Sequence, residues 1–136
     1  MCGIGLFVNR TIPDHFKKLL KNRGPDFDTV ENLSHSGLDF SLISTVLSHQ
    51  GKNLTKQPIK SRDSQKVLLW NGEIYDHPNF DHQTSDSKWL EKFIENGPKV
   101  PDWWSLSSEI KGEFAFIFIN FDTREIIFGR DRLGQC

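Results

Sequence analysis

Apolar positions fall in short runs separated by polar turn residues, and the spacing within each run identifies the element. Gly3 to Val8 is brief, apolar and bounded by Asn9-Arg10, which predicts a strand at the very start. Thr11-Ile12-Pro13-Asp14 then reads as a helix start, with Phe16, Leu19 and Leu20 at helical spacing and Gly24-Pro25 as the stop. Leu38 to Leu47 alternates at first and then becomes continuously apolar, as a strand covered on both faces does. Val67 to Trp70 predicts another strand, ended by Asn71-Gly72. Ser85-Asp86-Ser87 opens a helix carrying Trp89, Leu90, Phe93 and Ile94, which Gly97-Pro98 ends. Pro101-Asp102 starts a shorter helix to about Ile110, and strands follow at Phe114 to Asn120 and Ile126 to Phe128, joined by a turn at Asp122-Thr123. Strands arriving in hairpin-like neighbours, with helices grouped between them, predict an α+β layered fold rather than an alternating parallel sheet.

Composition narrows the class. The chain has 136 residues, room for one domain. Eleven Phe and four Trp supply enough large side chains for a real core. The formal net charge of −1 gives no electrostatic footprint for nucleic acid or an anionic membrane. No apolar run approaches the length of a membrane span, and the start lacks the layout of a secretory signal, so the expectation is a cytoplasmic protein. The five His and the two Cys, at positions 2 and 136, form no metal-ligand spacing, and no phosphate-cradling Gly-Lys-Ser/Thr loop is present, so no metal or cofactor is expected.

The candidate chemistry begins at Cys2. When the initiator Met is removed, a thiol and a free α-amine share one residue, giving a nucleophile with its own base near neutral pH. Gly3 would let backbone pass close to a substrate. A buried, inert Cys2 is the plainer alternative. Asn71-Gly72 can aim a side-chain amide and a backbone N–H at one point, the donor pair an oxyanion hole needs, with Glu73 near enough to hold an ammonium group. By itself, however, Asn-Gly is first a hairpin turn. Arg23-Gly24-Pro25-Asp26 and Gly129-Arg130-Asp131 read as structural turns, and Asp86 by itself as a helix N-cap.

Together these blocks carry a resemblance. Cys2-Gly3-Ile4, Arg23-Gly24-Pro25-Asp26, Gln57-Pro58, Asn71-Gly72-Glu73-Ile74-Tyr75-Asp76-His77, Ser85-Asp86, Gly112-Glu113-Phe114-Ala115-Phe116 and Gly129-Arg130-Asp131 stand in the order found in class II glutamine amidotransferases. The chain most resembles the glutaminase domains of asparagine synthetase and of asparagine synthetase domain-containing proteins, over essentially residues 1–136. The resemblance implies an N-terminal-nucleophile hydrolase fold, an αββα four-layer sandwich with antiparallel sheets, here incomplete at the C-terminus. It implies that Cys2 attacks the glutamine side-chain amide, that Asn71 and Gly72 hold the oxyanion, and that Glu73 and Asp86 bind the substrate α-ammonium. Glutamate and ammonia would be the products, the ammonia passing to a separate synthetase domain or subunit for asparagine formation. Relatives usually carry an Arg for the substrate carboxylate shortly before Gln-Pro; here His49 or Gln50 stands in that neighbourhood, so Gln50 is the substrate-binding candidate. Lys88 also replaces a common Glu. These departures predict weak glutamine hydrolysis, and they leave a non-catalytic scaffold or interaction domain of the same fold as the competing reading.

Overall fold

A computed structural model describes residues 3–46, 56–80, 85–96 and 108–135. Within them the chain is mixed α and β, with two helices and mostly antiparallel strands in two sheets. It divides into two compact units, Met1–Pro58 and Ile59–Cys136.

The first unit holds β1 (Gly3–Val8), α1 (Asp14–Arg23), β2 (Phe27–His35) and β3 (Leu38–Val46), the strands in the order β1-β3-β2. Pro13 precedes α1 in extended conformation, and its carbonyl accepts from the Phe16 and Lys17 N–H groups. Asp14 in the first turn and Lys21 and Arg23 in the last suit the helix dipole. The apolar stripe of α1 buries Leu20 against Ile12 and Ile43, with Phe16 edge-on to Phe7 at 5.2 Å. Thr45 Oγ1 donates to the Leu20 carbonyl at 2.9 Å, which fixes the end of α1 to β3. Asp26 N–H donates to the Val46 carbonyl at 3.2 Å, so the Gly24-Pro25-Asp26 link lies along β3 as a structural turn.

β2 has no counterpart among the sequence expectations. Phe27, Val30 and Leu33 are spaced by three, which imitates a helix, and the residues between them are polar. The strand is set instead by its pairing with β3 from Phe27↔Val46 to His35↔Leu38 across a two-residue turn. Ser36 and Gly37 both have positive φ, +50° and +80°, the geometry that matches a turn to strand twist.

The second unit holds β4 (Ile59–Lys60), β5 (Lys66–Asp76), α2 (Asp86–Asn96), β6 (Lys111–Asn120) and β7 (Glu125–Arg130), with the sheet ordered β4-β5-β6-β7. Alternation places Leu68, Trp70 and Ile74 of β5 and Phe114, Phe116 and Phe118 of β6 on one face. There they pack with Trp89, Leu90 and Ile94 of α2. Val67, Leu69, Asn71 and Ile119, on the other face, are buried as well. The β6–β7 turn falls at the expected Asp122-Thr123, whose N–H groups both donate to Asn120 Oδ1. Among the described residues β7 is the sheet's last strand, and Phe128 on it is 76% exposed. Asp131 beyond it is a turn organiser: its carboxylate accepts from the Phe114, Leu133 and Gln135 N–H groups. The expected helix from Pro101 to Ile110 falls outside the described residues except at its end, where 108–109 are helical.

Candidate functional site

Asn71-Gly72 does not end its strand. β5 runs through it to Asp76, with Asn71 opposite Ala115, Gly72 opposite Phe114 and Glu73 opposite Glu113. This corrects the hairpin expectation, and the physical reason is the neighbouring strand. Gly72 has φ +146°, and a Cβ on it would lie 2.5 Å from Phe114 Cα and closer still to the Glu113 carbonyl oxygen. The dipeptide is an in-strand pinch between β5 and β6.

Hydrogen-bond alternation then decides where the Gly72 N–H points. In an antiparallel pair, facing residues alternate between exchanging bonds and turning their polar groups to the other side. Phe114 directs both its N–H and its carbonyl to Asp131, on the β7 side. Ile74, two residues beyond Gly72, sends its N–H to Asp86 Oδ2 at 2.8 Å rather than to β6. Gly72, opposite Phe114 and in phase with Ile74, therefore turns its own N–H away from β6. On that side β4 pairs only with Val67 and Leu68, so among the described residues the flank of β5 from Gly72 to Ile74 has no strand beside it. Asn71 lies in the same segment with only 5% of its surface exposed, and the Glu73 side chain, on the same sheet face, is exposed.

Asp86 joins this group from α2. Ser85 is the helix cap, its Oγ accepting from the Lys88 N–H at 3.4 Å, and Asp86 reaches across to β5 instead of capping. Burial pushes the Asp86 carboxyl above its usual pKa, and the nearby charge of Glu73 adds to the rise, while the Ile74 N–H opposes both. Two carboxylates close enough to feel one another, one of them half-buried, form a place where a cation is welcome. A raised folded-state pKa means that the native state holds the proton more tightly than the unfolded chain. That contribution to stability is present at acid pH and is lost as pH rises through the raised pKa. Asp86→Asn, which keeps an oxygen for the Ile74 N–H, is expected to lose less stability than wild type between acid and neutral pH. Asp86→Ala strands that N–H and is expected to cost about 1–3 kcal/mol. Urea unfolding of the three proteins across pH measures both effects; equal pH dependence in wild type and Asp86→Asn would contradict the assignment.

The remaining candidates are placed as follows. Cys2 and Gln50 lie outside the described residues, as does His49. Gly3 leaves no room for a side chain, since a Cβ there would lie 2.6 Å from Leu20 Cδ2 and 2.9 Å from Thr45 Oγ1. His77, at the end of the Asn71 block, is buried against Trp89 and accepts at Nδ1 from the Asn79 N–H, closing the turn after β5. Among the described residues no three His, Cys, Asp or Glu side chains gather as metal ligands, and no helix is long and apolar enough to cross a membrane. Trp70 precedes the Asn71-Gly72 pair in the sequence, where nothing gives it a role of its own beyond the strand.

The chain is 30% identical over 144 residues to human asparagine synthetase domain-containing protein 1, an alignment that takes in 99% of this chain and 22% of that protein. To the bovine protein of the same name it is 29% identical, with the same coverage. It is also 29% identical over 152 residues to asparagine synthetase B (glutamine-hydrolyzing) of Escherichia coli K12, covering 98% of this chain and 26% of the relative. The chain thus spans about a quarter of the length of the curated relatives it matches. The sequence model of the glutamine amidotransferase domain matches residues 1–136, across both compact units, and the chain belongs to that family.

Proposed function

We propose that this chain hydrolyses glutamine to glutamate and ammonia, with Cys2 as nucleophile in an N-terminal-nucleophile hydrolase fold. The observation that carries the reading is the bond from the Ile74 N–H to Asp86, which sets the Glu73–Asp86 carboxylate pair beside buried Asn71 and Gly72 on β5. Amide hydrolysis of a free amino acid needs donors for the oxyanion and anions for the α-ammonium, and these residues answer both needs within one segment of β5 and the start of α2. The Cys2 thiol adds to the side-chain amide carbon of glutamine, its proton passing through the Cys2 α-amine to the departing ammonia. Water then hydrolyses the thioester, releasing glutamate and restoring the thiol. Asn71 Nδ2 and the Gly72 N–H hold the oxyanion in both steps.

Gln50 takes part in holding the substrate carboxylate as a neutral donor. A charge-assisted bond contributes roughly 1.5–3 kcal/mol where a neutral one contributes about 1 kcal/mol, so glutamine binds weakly. The ammonia serves asparagine formation on a synthetase domain or subunit, in keeping with the names of the relatives, and the setting is the cytoplasm. Purified protein given glutamine is expected to release ammonia and glutamate in equal amounts, and its intact mass to lack Met1 without an added acetyl group. Retention of Met1 on most molecules would remove the base and overturn the reading.

A further inference from the structure

Trp70 lies on the face of β5 opposite Asn71, inside the core, and is 3% exposed. Its direct cross-strand partner is Phe116, yet its ring lies closer to the diagonal neighbour: 5.0 Å and nearly parallel to Phe114, against 6.5 Å to Phe116. To reach Phe114 the indole must lie lengthwise along β5, over the position where Gly72 has no side chain. An aromatic ring covering a strand glycine shields the bare backbone there from the rest of the core. In this pose the indole Nε1–H donates to the Gly72 carbonyl at 3.3 Å.

That bond closes a ring through Trp70, Asn71 and Gly72, the three residues in which the oxyanion donors are set. Gly72 is the weak point of the segment, because glycine restrains its own φ and ψ least and this one sits at φ +146°. The peptide unit is planar, so holding the Gly72 carbonyl also fixes the Glu73 N–H and the direction in which β5 continues. β6 cannot supply that hold, since Gly72 faces Phe114, whose polar groups are directed to Asp131.

We propose that Trp70 is a positioning residue for the amide-hydrolysing site, its indole N–H holding the Gly72–Glu73 peptide so that the oxyanion donor and the ammonium-binding carboxylate keep a fixed relation. The proposal rests on the glutaminase reading for its functional consequence, and on the geometry of β5 and β6 alone for the tie itself. A molecule with Trp70→Phe keeps an aromatic ring for Phe114 and loses only the donor and part of the ring volume. Replacement by 3-benzothienylalanine keeps the indole shape and exchanges the N–H for sulfur, which separates the hydrogen bond from packing. Trp89 provides the control, because its indole donates to the Asn79 carbonyl at 2.8 Å within the same core cluster but outside the Asn71–Glu73 segment.

Both substitutions at position 70 are expected to lower kcat for glutamine about threefold to tenfold, the worth of one neutral hydrogen bond. Trp89→Phe should leave kcat within about twofold while losing comparable thermal stability. Equal losses of kcat in the Trp70 and Trp89 variants, or full kcat with benzothienylalanine at position 70, would overturn the positioning role. A wild-type protein that hydrolyses no glutamine would defeat the glutaminase reading, and a second measurement then decides the tie without activity. By nuclear magnetic resonance the Trp70 indole N–H of the wild-type protein should exchange slowly with solvent, and the Gly72 and Glu73 amides should move in the Trp70 variants but not in Trp89→Phe. An indole N–H exchanging like a free indole, or unmoved amides, would overturn the tie itself.

Discussion

Asn71→Ala is expected to lower turnover of glutamine by about 10²–10³-fold, or roughly 2.7–4 kcal/mol of transition-state stabilisation. The size follows from the timing of the interaction. Negative charge gathers on the amide oxygen only as the thiol adds, so a donor aimed at that charge contributes little to the bound substrate and much to the transition state. The loss should therefore fall on kcat, with the KM for glutamine shifting little. Asn71 is buried, so its removal also costs some stability, and kinetics must be measured well below the unfolding midpoint of the variant. A variant whose KM rises while kcat holds would mean that Asn71 only shapes the segment.

Gly72→Ala should produce a large loss of stability in the second unit. A side chain at φ +146° is itself strained by about 1–3 kcal/mol, and the new methyl would meet the β6 backbone at Glu113 and Phe114, an overpacking of similar size. Together these come to about 2–6 kcal/mol, a large part of the roughly 5–15 kcal/mol that holds a typical domain. Denaturant unfolding reads the change as a lower midpoint. Gly37→Ala serves as comparison: it also substitutes a positive-φ glycine, but nothing lies within 4 Å of its Cβ position, so it should cost only the backbone strain. Similar losses at the two positions would show that the strands are not pinched at Gly72.

The pinch also explains why the hairpin expectation does not hold. Asn-Gly between apolar runs is a hairpin signal because the pair tolerates positive φ, and the sequence cannot say whether that freedom serves a turn or a close strand crossing. The partner strand decides, and it lies about forty residues away. β2 was illegible for a related reason: Phe27, Val30 and Leu33 carry no period of two, and only pairing with β3 makes them a strand. Elements whose own apolar period matched their geometry were read with bounds near the observed ones, as at β1, α1, α2 and β6. Of the residues named for the site, Asn71, Gly72 and Glu73 lie on β5, and Asp86 on α2 meets that strand through the Ile74 N–H. That Asp86 bonds the Ile74 N–H, while Ser85 caps the helix, depends on how α2 docks on β5, and the local Ser-Asp-Ser pattern holds no trace of it. Trp70 stands beside the Asn71-Gly72 pair in the sequence, but its bond to the Gly72 carbonyl depends on how the ring lies along β5.

The central claim is that Cys2 attacks glutamine, and ammonia release by wild type against Cys2→Ala tests it most directly. With millimolar glutamine and N-terminally processed protein, wild type should form ammonia and glutamate in equal amounts, and Cys2→Ala should form none above the uncatalysed background. Ammonia release that survives Cys2→Ala, or its absence from processed wild-type protein, would contradict the account.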